Sequence, residues 1–394
     1  MATALHRQVA PNVTRVRGVA VIGAGPAGSL VAREMARRGA DVLLLDRAEF
    51  PRWKVCGSCM SPGSASILES VGLGHVLQRL GAVPLTALRL SAGRVRATLG
   101  LSRQVAVSRE ALDHALIQEA VDAGVQFMPR SCVRLGDLAS GHQCLHLDQV
   151  GGRSEIRARV VVDAAGLVGA TAGSDADRSV VRPGSRVGLG AVFKEGPSEY
   201  GPGAIHMVMG RYGYVGLVRV EDGRLNVAAA FDPAAVSAAG SPAGAVAEVL
   251  SEAGLPSLPE SPLLGWRGTP ALTRAPGAVV SERLFRVGDA AGYVEPFTGE
   301  GMAWAFSGAC ALAPIATDAA REWTPAHALA WSQAHGQGSH RGQAVCRAVA
   351  WGLRQPRLSR VTVRILAHAP GLARPVVRLV ESPPRFALEA APWA

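Results

Sequence analysis

Lysine is almost missing from this chain: only Lys54 and Lys194 carry it among 41 basic residues. The other 39 are arginines, scattered without a dense run. Aromatic residues make up only 5% of the chain and do not interleave with the basic ones. A formal net charge of +10 would suggest nucleic acid, but that footprint needs clustered basic side chains. The arginine skew reads as coding bias as readily as a binding surface, and no nucleic-acid partner is expected. Cysteine is sparse as well. Cys56, Cys59, Cys132, Cys144, Cys310 and Cys346 are spread too widely for a disulfide framework. Cys56 and Cys59 form one CxxC with no second pair, which argues against structural zinc, and no metal is expected. No apolar run reaches the ~18 residues that span a bilayer. The longest, 303–316, reads as a buried helix. Residues 1–17 lack the apolar core of a signal peptide, and 1–16 read as a loose polar leader. A reducing cytoplasm is the expected compartment.

What is present in quantity is apolar residue: 48% of 394 positions are hydrophobic, enough for a large core. That length suits about two domains. Order begins at Gly18-Val19-Ala20-Val21-Ile22, a run of the kind found in buried parallel strands. A glycine-rich turn and a helix over about 26–38 follow, then a second buried strand at 41–46. This is a βαβ unit. A further amphipathic helix is expected at 108–124, with Ser108 as its N-cap. A strand follows at 125–128. Segments 144–147 and 156–162 flank Gly151-Gly152 as a hairpin. After about Arg182 the texture changes to strands at 187–193, 204–209, 212–220 and 225–231, with turns at Gly210-Arg211 and Asp222-Gly223. A strand at 284–287 and a helix to about Thr317 return to the first texture. Residues 321–394 read as helical, broken by Pro370, Pro375, Pro383 and Pro384.

The first chemical motif is Gly23-Ala24-Gly25-Pro26-Ala27-Gly28, between strand and helix. The first glycine permits the tight turn, the second lets backbone approach a pyrophosphate, and the third lets helix pack on strand. The helix N-terminus then offers partial positive charge to phosphate. Asp46, followed by Arg47, ends the second strand, where a carboxylate accepts hydrogen bonds from ribose hydroxyls. Together these read as a dinucleotide site.

A second motif lies far down the chain: Arg286-Val287-Gly288-Asp289-Ala290-Ala291-Gly292, then Glu295-Pro296-Phe297-Thr298-Gly299-Glu300-Gly301-Met302. It resembles the GD segment of flavoproteins of the p-hydroxybenzoate hydroxylase and geranylgeranyl reductase superfamily. The resemblance implies FAD, with Asp289 on a ribityl or ribose hydroxyl. It also sets the N-terminus of a helix starting near Gly301 against the flavin pyrimidine. Phe50-Pro51-Arg52-Trp53-Lys54-Val55-Cys56-Gly57 resembles the loop that covers the isoalloxazine in geranylgeranyl reductases and related hydroxylases and halogenases. Lys54, Cys56 and Pro296 become the candidate catalytic positions. A plain surface lysine, and a CxxC kept only for its small residues, remain open, as does a thiol–disulfide couple feeding the flavin. Arg109, in Arg109-Glu110-Ala111-Leu112-Asp113, resembles the helix-start arginine that contacts FAD in flavin hydroxylases. Asp163-Ala164-Ala165-Gly166 resembles the Asp-Ala-Ser-Gly stretch of the superfamily. Ala165 departs from the Asp-Gly motif by which aromatic hydroxylases engage NADPH. The paired-tryptophan signature of flavin halogenases is missing.

The resemblance covers about 17–317. It implies an α/β fold with a doubly wound, glutathione-reductase-type FAD-binding domain formed from 17–80, 101–178 and 278–320. A mostly antiparallel sheet domain from 81–100 and 179–277 covers a small-molecule substrate, and 321–394 form a helical region. His206, Met207, Tyr212, Tyr214 and Phe297 are the candidate substrate residues. Two chemistries stay open. The first placed is NADPH- or NADH-driven monooxygenation of an aromatic, polyketide or lipid-like molecule. The second is reduction of carbon–carbon double bonds in a prenyl or lipid substrate. A peripheral membrane contact is a further expectation. It rests on Arg360, Arg364, Arg374 and Arg378 interleaved with Val361, Val363, Ile365, Val376 and Val377.

Overall fold

The structure, a computed structural model, describes residues 16–149, 152–169, 179–275, 277–295, 297, 299–375 and 377. The first sheet holds eight strands. They are β1 (Arg17–Ile22), β2 (Val42–Leu45), β6 (Gln126–Met128), β7 (Cys132–Ala139), β8 (His142–Gln149), β9 (Gly152–Asp163), β17 (Val280–Ser281) and β18 (Leu284–Arg286), numbered in chain order. The order β18-β9-β1-β2-β6 is parallel throughout, and β7–β8–β9 form an antiparallel meander on one edge. This is the doubly wound, Rossmann-like layer.

Helices α1 (Pro26–Ala36), α4 (Arg109–Asp122) and α7 (Gly301–Arg321) pack together on one face of this sheet. Their shared core includes Val19, Leu30, Leu44, Leu116, Phe285 and Phe306. α1 starts where Pro26 pre-sets the first helical φ and misses no hydrogen bond. It can approach β1 closely only because residue 28 is glycine: a Cβ there would stand 1.8 Å from the Gly23 carbonyl oxygen. α4 is capped by the Ser108 hydroxyl, which accepts from the Ala111 N–H. α2 (Pro62–Ser70) and α3 (Gly74–Arg79) complete this layer.

The second sheet also holds eight strands, in the order β15-β11-β14-β13-β12-β4-β5-β3. These are β3 (Cys59–Met60), β4 (Val83–Ala92), β5 (Val95–Ala106), β11 (Val187–Phe193), β12 (Ala204–Met209), β13 (Gly213–Arg219), β14 (Leu225–Phe231) and β15 (Arg267–Ala271). All neighbours are antiparallel except β12 and β4. A minor pair, β10 (Val180–Val181) with β16 (Arg274–Ala275), stands apart. The sheet takes in 101–106 and Cys59–Met60, which the sequence reading gave to the first layer. The reason is register. The β4–β5 hairpin passes a bulge between Leu85 and Ala87 and keeps pairing to Ala106, which then pairs Cys59.

One face of the second sheet is covered by α6 (Pro242–Glu252), preceded by the short α5 (Pro233–Ala238). The other face looks toward α8 (Pro325–Leu353) and α9 (Pro356–His368). α7 runs on past Thr317 to Arg321, with Pro314 inside it. Gly151, Val376, Arg378 and the segment with Pro383 and Pro384 lie outside the described residues. Among the described residues no helix is long and apolar enough to cross a membrane.

Candidate functional site

A cavity of about 760 Å³ opens where the two sheets and the C-terminal helices meet. Its wall at the first sheet is assembled from loops. Gly25, Pro26 and Ala27 come from the turn after β1, and Lys54 and Cys56 from the loop after β2. Arg109 lies at the start of α4. Gly166 follows β9, Gly288 and Asp289 follow β18, and Gly299, Gly301 and Met302 open α7. All these positions sit at the carboxyl ends of parallel strands or at helix N-termini, where an open α/β sheet binds its ligands.

The electrostatics of this wall are unusual. Asp113 is fully buried, and Arg109 grips it with two hydrogen bonds, Nε to Oδ1 and Nη2 to Oδ2, both 2.8 Å. Arg52 adds a second cation, its Nη1 3.2 Å from Asp113 Oδ2 and its Nη2 4.0 Å from Asp46 Oδ2. Burial alone would lower the Arg109 pKa, but the charge and hydrogen bonds of Asp113 outweigh it and raise it above the ordinary value. Burial lowers Arg52, only partly offset by Asp113 and Asp46. Arg109 and Arg52 face Asp113 and Asp46, two cations against two carboxylates. Lys54 adds a third cation beside them. Its ammonium has no hydrogen-bond partner among the described residues. Burial, and then the charge of Arg109, lower its pKa, with Asp289 opposing. Tyr293, also on the wall, has its hydroxyl pKa raised well above the ordinary value by burial and then by Asp289.

The residues present fit FAD. The N-termini of α1 and α7 both lack a side-chain cap, so their first N–H groups are open to a ligand. At Gly25 a Cβ would meet only the Arg109 guanidinium, at 3.7 Å, which leaves the backbone approachable from the cavity. The Asp289 carboxylate lines the cavity without a hydrogen-bond partner among the described residues. Asp46 is already engaged: Oδ2 accepts from Ala24 N at 2.7 Å and Oδ1 from Ala48 N at 2.8 Å. It fixes the glycine turn from behind.

Several expected positions stand elsewhere. Asp163 is buried off the cavity, its Oδ1 accepting from Ala165 N at 3.0 Å to shape the turn that presents Gly166. Arg47 is exposed. Pro296 and Thr298 lie outside the described residues. Met207, Tyr214 and Phe297 line the cavity, and the last two rings meet edge to face at 5.1 Å. His206 does not. Strand alternation turns it, between Met207 and Ile205, to the opposite face of the sheet, where its ring stands edge-on to Tyr200 at 5.1 Å. Burial there, with Arg89 nearby, pushes its pKa down to about 4. Tyr212 sits on an exposed turn with Arg211 over its ring. Arg52, Asp113 and Tyr293 were not singled out from sequence. Arg109 and Asp113 do stand four apart on a helix, a spacing that marks an ion pair. Nothing local marks Arg52 or Tyr293.

Beyond the polar wall the cavity is apolar. Leu88, Leu90 and Leu99 of the β4–β5 hairpin and Ile205, Met207 and Met209 of β12 form its floor. Val349 and Leu353 of α8 and Val363 and Leu366 of α9 form its roof.

Comparison with known proteins complements this geometry. The model of the FAD binding domain family matches residues 17–348. A menaquinone reductase of Mycobacterium tuberculosis is 51% identical over 59 residues, which span 15% of this chain and 14% of that protein. A digeranylgeranylglycerophospholipid reductase of Methanopyrus kandleri is 32% identical over 169 residues, 39% of this chain and 42% of the relative. Both matches thus span less than half of the relative's length. The solved p-nitrophenol 4-monooxygenase PnpA from Pseudomonas putida superposes with a TM-score of 0.74 at 16% identity, over 94% of this chain and 99% of that one. At that identity the likeness is one of fold.

Proposed function

This chain belongs to the FAD binding domain family and is an FAD-dependent oxidoreductase, and from that premise we propose that it reduces carbon–carbon double bonds in a long apolar substrate of prenyl or lipid type. The observation that carries this reading is the apolar chamber itself, which continues the cofactor cleft between the second sheet and helices α8 and α9. A prenyl or acyl chain has no polar group to be recognised by. Only an extended wall of Leu, Ile, Met and Val side chains can hold it, at roughly 25 cal/mol for each Å² of apolar surface buried. The named activities of the reductase relatives from M. tuberculosis and M. kandleri agree with such a substrate.

When bound and reduced, with NADPH or NADH as the proposed donor, FAD supplies hydride. The chain does the rest. The uncapped α1 N-terminus, with Arg109 and Arg52 behind it, would hold the pyrophosphate. Asp289 would accept from ribityl hydroxyls, and the N-terminus of α7 would favour negative charge on the flavin. Lys54 holds a proton at Nζ that its lowered pKa makes easier to release to the substrate carbon. The Cys56 thiol lines the same wall, and Tyr293, its proton held more tightly by burial and Asp289, serves there as a hydrogen-bond donor. The apolar roof excludes water.

A second reading, monooxygenation of an aromatic, polyketide or lipid-like molecule, draws on the same dry walls, which would shield an oxygen-activating flavin. One experiment separates the two. The purified protein, FAD and both nicotinamides are incubated with a metabolite extract, anaerobically and under labelled oxygen. A product that gains two hydrogens in both atmospheres is expected. A product that gains one labelled oxygen overturns reduction. The protein should purify yellow, and Asp289→Ala should lose the colour; an Asp289→Ala variant with full FAD would remove Asp289 from the site.

A further inference from the structure

Helix α9 carries apolar and basic residues on its outer side. Leu358, Val361 and Ile365, spaced as one helical stripe, are 43%, 51% and 49% exposed. Arg357, Arg360 and Arg364 form a second stripe beside it, each one position earlier and so turned by about 100°. All three arginines are exposed. The opposite side of the same helix buries Ser359 and Val363 against the chamber. Two further exposed apolar side chains extend the patch: Trp351 near the end of α8 at 63%, and Leu372 beyond α9 at 64%. Exposed apolar side chains gathered this way mark an interaction surface rather than scattered surface leucines.

The charge says what kind of surface it fits. Between Glu322 and Glu381 the chain has no Asp or Glu, while Arg354, Arg357, Arg360, Arg364 and Arg374 fall inside that span. A second copy of the chain would bring the same cations together and be repelled. An acidic surface that also accepts apolar side chains fits both stripes. The patch is also continuous with the cavity. Leu358, Ile365 and Leu372 are exposed and at the same time line the cavity, so they form its rim.

We propose that this face docks on an anionic lipid leaflet, with the apolar stripe of α9 among the acyl chains and the arginine stripe at the headgroups. The rim then opens onto the lipid, and an apolar substrate passes from bilayer to chamber without crossing water. Docking stands on the surface alone; delivery of substrate rests on the reductase reading.

The test sediments the full-length flavoprotein with vesicles of phosphatidylcholine alone or mixed with phosphatidylglycerol. Pelleting is expected with the mixed vesicles at low salt, and its loss at 0.5 M salt, roughly where the screening length falls to a few ångströms. Replacing Arg357, Arg360 and Arg364 together by Gln should cut the bound fraction by about tenfold or more, and Val361→Asp should weaken it independently. None of these four residues lines the cavity, so flavin content and turnover of detergent-dispersed substrate should match the parent, which also checks folding. Tryptophan emission gives a second readout: it should shift to the blue on mixed vesicles in the parent, and the shift should shrink in Trp351→Phe. Protein that stays in the supernatant with mixed vesicles at low salt overturns the proposal. So does an arginine-free α9 that pellets as well as the parent. Docking with an oxygenated product would keep this proposal and sink the reductase.

Discussion

Glu300 and His206 are buried titratable groups that oppose one another. Glu300 stands just before α7 without capping it, and burial pushes its carboxyl up to about 7 from an ordinary 4.5, with the Cys346 thiol donating to it at 3.6 Å. The folded chain therefore keeps a proton there that the unfolded chain sheds, and this contribution is lost as pH rises from about 4.5 to about 7. His206 behaves in reverse. Its folded value of about 4 against an ordinary 6.5 means the unfolded chain takes up the proton first, and stability is lost as pH falls from about 6.5 to about 4. Each effect is worth at most about 3 kcal/mol. Where the windows overlap the two offset each other. Glu300→Gln should therefore make urea midpoints climb between pH 4.5 and 6.5, and His206→Gln should make them fall. Profiles parallel to the parent in both variants would refute the pairing. At this scale the sequence was legible where chemistry is local. The glycine turn, Asp289 and Lys54 are each marked by immediate neighbours. His206 was misassigned to the chamber because β12 is covered on both faces, so Ile205, Met207 and Val208 give no alternation from which to read its side.

Between elements, a buried ionic cluster joins the second sheet to the loop before α7 and to the end of α8. Arg186, 1% exposed, stands just before β11. Its Nη1 reaches Glu295 Oε1 at 3.3 Å and its Nε reaches Asp232 Oδ1 at 3.4 Å. Arg354, at the end of α8, approaches the same two carboxylates at 3.6 and 3.7 Å. The Tyr214 hydroxyl, whose pKa burial and then Glu295 raise well above the ordinary value, belongs to the same cluster. Removing Arg186 leaves the buried Glu295 with Arg354 alone, at 3.7 Å. Arg186→Met should cost about 3–5 kcal/mol in denaturant unfolding, and adding Glu295→Gln should recover part of it. A double variant no better than the single would show that Arg186 acts through packing. None of this was legible beforehand, because its members are brought together by sheet order and not by spacing. The elements themselves were legible. The βαβ unit, α4 and the strands of the second sheet follow from apolar period and turn residues. The join at β5 was not, since a bulge in β5 between Gly100 and Gln104 lets the long hairpin carry the second sheet past Gly100.

Over the whole molecule, the polar wall of the cavity is drawn from five stretches of chain: 25–27, 54–61, 109, 164–167 and 288–302. They are far apart along the chain: strands β4 and β5 of the second sheet run between the second and the third, and β11 to β15 between the fourth and the fifth. A ligand held by all five works as a rivet through the fold. It binds only the native arrangement, so it stabilises by mass action, about 2.7 kcal/mol at a hundredfold excess over its Kd. Hydrogen exchange compared with and without FAD should therefore show lost protection in all five stretches at once. Loss confined to the Gly25 turn would show that the pieces are held in place without it. A protease would sense the same thing as a difference in cutting: chains without the rivet should be cleaved first at these five stretches, and chains that hold it should be spared.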